Sequence, residues 1–305
     1  MTLTVATCQL PVDADLRANA RYVKRLLRAA KTRGADVAHF CECSLSGYAG
    51  SDLPSLRGFD WPLLEALTHE IRELCGELGI WALLGSTHRL SGRHKPHNSV
   101  YVVDARGAVV DRYDKRFCGG DRAGRTGDLA HYAPGDHAAV FSIAGVRCGV
   151  LICHDYRYPE LYRDYVRRGV RLLFHSFHAG HMPAVRLRAL RAAIGPRNLR
   201  WNAGANLPAI TMPATTVAEA ANNGLWISAA NTSARESCFG SFFVRPDGVT
   251  TGRLPRHRTG LLISRVDLRE PIYDSTAAWR GRAMRGVLHT GERVQDPRSR
   301  DRKRI

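Results

Sequence analysis

The stretch Val146-Arg-Cys-Gly-Val-Leu-Ile-Cys-His-Asp-Tyr-Arg-Tyr-Pro-Glu160 changes character halfway along. Up to Ile152 it is a short apolar, β-branched run of the kind that forms a buried strand. The run breaks at Cys153, His154 and Asp155, and a helical pattern resumes at Pro159, a residue suited to a helix's first turn. A strand handed to a helix through a tight turn lifts the turn side chain out of the sheet, the geometry by which hydrolytic α/β folds present a nucleophile. A cysteine there can attack a carbonyl or nitrile carbon and carry the acyl group as a thioester. Most cysteines are simply buried, so the choice rests on partners elsewhere in the chain.

Strand-like and helix-like segments alternate throughout. Residues 2–10 read as a buried strand, and Leu16, Ala20, Val23, Leu26, Leu27 and Ala30 fall at helical spacing between Asp13 and Thr32. Gly34 stops that helix, and Ala35 to Cys41 is a second strand leading into Glu42. Strand, crossover helix and strand make a parallel unit, which places Glu42 at the carboxyl end where open α/β sheets keep their chemistry. A helix over Pro62–Leu78, a strand over Ile80–Leu84 and a hairpin of Asn98–Asp104 with Ala108–Tyr113 follow, the last strand delivering Lys115. A polar, Gly-rich loop from Cys118 to Gly127 precedes Asp128. The second half echoes the first, with Val146–Cys153, a helix and Val170–His175 matching 2–41 in phase. A helix over Pro213–Asn222, a strand Trp226–Asn231, a hairpin around Ser241–Gly248 and a strand Gly260–Asp267 complete the pattern. Two mixed sheets, each covered by helices on one face, predict an internally repeated four-layer α-β-β-α sandwich. No linker divides it, so residues 1–270 read as one domain and 271–305 as an extension with a basic, mobile tail, Arg298–Arg304.

Composition narrows the partners. No apolar run is long enough to span a bilayer, and Met1–Val5 lacks the basic-then-apolar order of a signal peptide. Eight scattered cysteines without a secretory signal suggest a reduced, cytoplasmic chain, and none has metal-ligand spacing. The net charge of +17 invites a nucleic-acid partner, but only five of the 45 basic residues are lysines and the arginines are spread over the whole length. That pattern argues for compositional bias over a phosphate groove. The cluster Arg186, Arg188, Arg191, Arg197 and Arg200 is either a solvated helix face or the entrance for an anionic substrate.

Glu42, Lys115 and Cys153 thus stand at three strand ends. A carboxylate can accept a thiol proton, and a cation can depress the thiol pKa and steady an oxyanion. With Val5–Gln9 and Asn19, Gly34–Glu42 followed by Leu45-Ser-Gly-Tyr48, Tyr113-Asp-Lys115, Tyr132-Ala-Pro-Gly135, Ile152–Glu160, Ala229–Ser233, Gly240-Ser241 and Pro246-Asp-Gly248, the chain resembles the nitrilase, or carbon–nitrogen hydrolase, superfamily over roughly residues 2–270. The resemblance implies an α-β-β-α sandwich, no metal or other cofactor, a homodimer or larger assembly, and a small-molecule amide or N-carbamoyl substrate. It assigns Cys153 as nucleophile, Glu42 as proton carrier, and Lys115 with the His154 backbone N–H as oxyanion holders.

Counting back from Pro134, Asp128 stands where many members carry a second active-site glutamate, one methylene shorter and so with a weaker contact expected. The family's proline before the first glutamate is Cys41 here, the 219–223 helix motif is altered, and 184–202 resembles an insertion. Tyr48, His154, Arg157 and His178 are candidate substrate-binding residues. Arg157 either grips a substrate carboxylate or pairs with Glu160, and His178 and His181 either border the pocket or are exposed. The contrasting possibility is an inactive scaffold that binds nucleic acid through its basic surface.

Overall fold

The computed structural model describes residues 1–303, so Arg304 of the basic tail lies outside the described residues. β1 (Thr2–Gln9), α1 (Leu16–Thr32) and β2 (Val37–His39) form the first crossover unit, with β2 parallel to β1. α1 starts where the Asp15 carboxylate accepts the N–H groups of Arg17 and Ala18, a side-chain cap for otherwise unpaired donors. Its buried stripe is the one the spacing predicts, Leu16 to Ala30. α2 (Trp61–Leu78) and β3 (Trp81–His88) repeat the crossover, and β4 (His97–Val103) and β5 (Val109–Asp114) fold back as an antiparallel hairpin.

β6 (Val140–Ile143) precedes β7 (Val146–Ile152), α3 (Pro159–Arg167) and β8 (Leu172–Ser176). After α4 (Ala184–Ala192), α5 (Pro196–Leu199) and α6 (Leu207–Asn223) come β9 (Trp226–Ala230), β10 (Phe242–Val244) and β11 (Thr250–Arg253). β12 (Gly260–Asp267) then returns to pair with β1, and α7 (Ala277–Met284) and α8 (Pro297–Arg300) follow. The strand orders are β12-β1-β2-β3-β4-β5 and β11-β10-β9-β8-β7-β6. Each sheet has a parallel centre, β1-β2-β3 or β7-β8-β9, between antiparallel edges. The internal repeat read from the sequence is therefore structural.

Alternation along the strands sorts side chains between layers. Ala6, Cys8, Ala38, Ala82 and Leu84 face α1 and α2. Val5, Val37, Leu83 and Val100 meet Val150, Ile152 and Phe174 between the sheets, and Tyr162, Tyr165, Met212 and Ala220 bring α3 and α6 onto the far side of the second sheet, against Leu173 and Ile227. This is the four-layer α-β-β-α sandwich. A polar node crosses its middle: His39 Nδ1 lies 2.8 Å from Ser228 Oγ and its Nε2 3.0 Å from Ser176 Oγ. Burial, helped by the neighbouring His175, pushes the His39 imidazole down to about 3, so it is neutral and can donate to one serine and accept from the other.

One expectation needs correction and one open choice narrows. α6 starts at Leu207 behind an Asn206 cap, and Pro213, taken as its beginning, is a buried residue within it. The segment 184–202 is two short helices whose five arginines are all exposed, as on a solvated face. Among the described residues no helix is long and apolar enough to cross a membrane.

Candidate active site

Cys153 follows β7 directly and opens a 3-10 turn, Cys153–Arg157, before α3. Its φ of +40° is a left-handed value that a side chain rarely adopts, so the tertiary structure holds the turn against a local preference. Lys115 follows β5 directly, while Glu42 lies beyond the shorter-than-expected β2, in a turn whose next residue, Cys43, also has positive φ (+52°). That turn fits because β3 carries Gly85: a Cβ there would sit 2.1 Å from the Cys41 carbonyl oxygen. The Gly85 carbonyl meanwhile accepts the Leu45 N–H at 2.9 Å and the Ser44 hydroxyl at 3.0 Å.

The three strand ends converge. Lys115 Nζ is 2.8 Å from Glu42 Oε1 and 2.8 Å from Asp128 Oδ2, with all three side chains buried. Asn98 of β4 donates its amide to the same Glu42 Oε1 at 2.7 Å, and Glu42 Oε2 is buried with no hydrogen-bond partner among the described residues. Asp128 also accepts the Gly119 N–H at 3.0 Å and the Tyr48 hydroxyl. The shorter acid was expected to touch Lys115 weakly; instead the loop brings it to full ion-pair distance.

Burial opposes the Lys115 charge, but Asp128 and Glu42 outweigh it and raise its pKa well above the ordinary value. For Asp128, burial is outweighed by Lys115, Tyr48 and the Gly119 N–H, and its carboxyl is held low. Cys153 goes the other way from the sequence expectation. Burial and then the Glu42 charge lift its thiol well above the usual range, and Lys115 offsets only part of this. The resting sulfur is a thiol, so attack on carbon needs a base. The residue as a whole is half-buried.

Asp155, read from the sequence only as part of the turn, ties the site together. Its carboxylate accepts the Ile152 N–H at 2.9 Å, the Phe117 N–H at 2.9 Å and the Tyr113 hydroxyl at 2.8 Å. Asn98 was also missed, because an amide near the start of a strand carries no signal of acid–base work. The remaining candidates divide. Tyr48 and His178 lie in the cluster, their rings stacked at 5.1 Å, and His178 is buried rather than exposed. His154 is half-buried with Nδ1 3.2 Å from the Phe117 carbonyl oxygen. Arg157 is exposed, packs over the Tyr156 ring at 4.7 Å and reaches Thr211; among the described residues it makes no ion pair with Glu160.

The sequence profile of the carbon-nitrogen hydrolases matches residues 4–271. The chain belongs to the carbon–nitrogen hydrolase family. Among similar proteins are a deaminated glutathione amidase of Bos taurus, 28% identical over 178 residues that make up 55% of this chain and 53% of that protein, and an N-carbamoylputrescine amidase of Solanum tuberosum, 27% identical over 191 residues, 59% and 60% of the two chains. The match thus spans less than two-thirds of either relative. An amidase from Nesterenkonia sp. has the same fold, with a TM-score of 0.69 over 94% of this chain and 96% of that one at 22% identity. In this member of the family Glu42 and Asp128 meet at Lys115.

Proposed function

We propose that the chain hydrolyses a non-peptide carbon–nitrogen bond in a small amide or N-carbamoyl compound, with Cys153 as nucleophile and a thioester as intermediate. One observation carries this proposal: Glu42 has one carboxylate oxygen held by Lys115 and Asn98 and the other buried and unpartnered. That free oxygen belongs to the charge that most strongly opposes ionisation of the Cys153 thiol after burial itself.

The steps follow from the charges. Glu42 takes the thiol proton as sulfur bonds to the acyl carbon, so no free thiolate accumulates. The carbonyl oxygen becomes an oxyanion, which the Lys115 ammonium and the His154 N–H stabilise. Collapse breaks the carbon–nitrogen bond as Glu42 passes its proton to the leaving nitrogen, releasing ammonia or an amine. Water, deprotonated by Glu42, attacks the thioester carbon; the acid leaves and the proton returns to sulfur. Asp128 and Asn98 keep Lys115 and Glu42 in place. The amidase activities named for the two relatives support this substrate class, as does an amidase of this fold from Nesterenkonia sp. AN1 described with covalent addition at its active-site cysteine.

The test is an ammonia-release screen over ω-amides, N-carbamoyl compounds and nitriles, with mass spectrometry of the chain trapped on a slow substrate. An acyl adduct on Cys153 and loss of turnover in Cys153→Ala are expected. Full activity in Cys153→Ala sinks the proposal. Turnover confined to nitriles, or product made only when an added amine accepts the acyl group, moves the chain to nitrilase or acyltransferase chemistry on the same residues.

A further inference from the structure

Beside Glu42, Lys115 and Asp128 lies a second buried charged pair, one that the mechanism leaves unused. His178 Nε2 and Asp52 Oδ2 are 2.9 Å apart, with both side chains fully buried and the two residues 126 positions apart in sequence. The same Asp52 oxygen accepts the backbone N–H of Tyr48 at 2.9 Å. Tyr48 stacks with His178 at 5.1 Å and 27° and with Tyr132 at 5.9 Å and 18°, and its hydroxyl donates to Asp128. One carboxylate therefore holds both the main chain of Tyr48 and the ring that packs against it.

The loop carrying His178 also touches the other reacting groups. The carbonyl of Phe177 accepts the Glu42 N–H at 3.2 Å, and the His178 N–H favours the ionised form of Cys153. The loop is anchored from behind, Phe177 N–H to Ala230 at 2.7 Å and Ala179 N–H to the Asn231 side chain at 2.8 Å. A buried ion pair is a poor device for stability alone, since desolvation offsets most of its attraction. It is a good device for holding an orientation.

We propose that Asp52 and His178 are a positioning pair: together they fix the ring of Tyr48, and through its hydroxyl the Asp128 carboxylate that clamps Lys115. In this role the two side chains act through Tyr48, whereas the His178 backbone N–H serves Cys153 separately. The inference rests on Cys153 being the nucleophile, because it assigns the pair to that centre. His178 is drawn toward its charged form: burial alone would lower its pKa, but Asp52, and more weakly Glu42, raise it above the ordinary 6.5. His181, at 3.7 Å from the other Asp52 oxygen, is a further cation when protonated.

The test is steady-state kinetics of the full chain on an amide turned over in the screen above. His178→Ala is expected to lower kcat about tenfold or more with KM within about twofold, because orientation of the catalytic cluster is lost and substrate contacts are not. His178→Gln, whose amide can still donate to Asp52, recovers most of kcat. Combining His178→Ala with Tyr48→Phe is no slower than Tyr48→Phe alone, since both act through one hydroxyl. If His178→Ala does not fold, Asp52→Asn, nearly isosteric, takes its place in the same cycle. A kcat within twofold of native, a change confined to KM, or losses that multiply in the double variant overturns the inference. The two proposals fail separately: without an adduct on Cys153 the nucleophile assignment falls and this one with it, whereas an adduct together with native kcat in His178→Ala removes the positioning pair alone.

Discussion

The carboxylate of Asp155 accepts the N–H of Phe117 at 2.9 Å, and by this bond the turn that presents Cys153 is fastened to the chain just past Lys115. Its other oxygen takes the Ile152 N–H, one residue before Cys153, and the Tyr113 hydroxyl. One fully buried side chain, in neither sheet, thus ties the turn of Cys153 to the segment that carries Lys115.

Removing that side chain leaves up to three donors unsatisfied. Asp155→Ala is expected to cost about 3 kcal/mol of stability, less than the sum of separate penalties of ~1–3 kcal/mol because the site relaxes. Turnover should fall further than stability explains. Urea unfolding alongside kcat at a temperature where the variant is folded checks both; native turnover in a folded variant would contradict the fastening role.

The same residue gives a pH signature. Burial pushes the Asp155 carboxyl up from 3.8 to about 6, with the three donors pulling it back only in part. A carboxyl whose folded value lies above its unfolded one binds its proton more tightly in the native state. Its contribution to stability is thus greatest below pH ~4 and is lost as pH rises through about 6. Asp155→Asn cannot titrate, so the native chain's advantage over this variant should shrink by up to about 3 kcal/mol between those limits. A difference in unfolding free energy that is equal at pH 4.5 and pH 7 would show that the group does not titrate this way.

Glu42 offers a less intuitive outcome. Its charge, after burial, is the largest influence raising the Cys153 thiol, so native alkylation by iodoacetamide should still be climbing at pH 9. Glu42→Gln removes that charge while Lys115 stays, and the pH of half-maximal labelling at Cys153 should fall. Amide turnover should fall as well, by about 100-fold or more, because the proposed proton carrier is gone. A variant with a more ionised thiol and a slower reaction separates thiolate supply from proton transfer. An unchanged or higher labelling midpoint, read from the Cys153 peptide, would mean that Glu42 does not face the sulfur.

Gly85 governs the placement of Glu42 by sterics alone. A methyl group at this position meets the Cys41 carbonyl oxygen at 2.1 Å and the Cys43 nitrogen at 2.8 Å, both backbone atoms that cannot swing aside. Gly85→Ala should cost about 1–3 kcal/mol and displace the Glu42 turn, lowering kcat far more than an alanine in mid-strand otherwise would. Native kcat in Gly85→Ala would show the turn to be free to shift.

What was legible in the sequence follows from what the local physics decides. The first crossover unit and Cys153 were readable because helix spacing over Leu16–Ala30 and the apolar run ending at Ile152 are short-range patterns. β6 is a four-residue edge strand and carries too little pattern to notice. α4 and α7 bury no residue at all, so no apolar stripe marks them. In the site, chemistry-bearing Glu42, Lys115 and Cys153 could be picked out at strand ends. Asn98, Gly85 and Asp52, the buried partner of the candidate His178, could not, since their importance lies in contacts across the chain. The thiol was misjudged for the same reason: a nearby cation was foreseeable, but the weight of burial and Glu42 against it depends on tertiary packing.

Asp128 supplies the last prediction. The resemblance to the family sets a glutamate at this position, and simple reasoning from reach says that restoring it should tighten the grip on Lys115. The structure argues the opposite. The loop already brings Asp128 Oδ2 to 2.8 Å from Lys115 Nζ, and the carboxylate is enclosed by Tyr48 and the Gly119 N–H at 4% exposure. An extra methylene has no room and must push Lys115 or Tyr48 out of line, so Asp128→Glu should lower kcat about tenfold, or ~1.4 kcal/mol of barrier. Asp128→Asn keeps the shape but leaves Lys115 with one counter-charge, so the ammonium is drawn more closely to Glu42 and proton transfer slows. Comparing kcat of the two variants with native decides the matter: an Asp128→Glu enzyme as fast as native would mean that the loop yields and that reach, not enclosure, limits this contact.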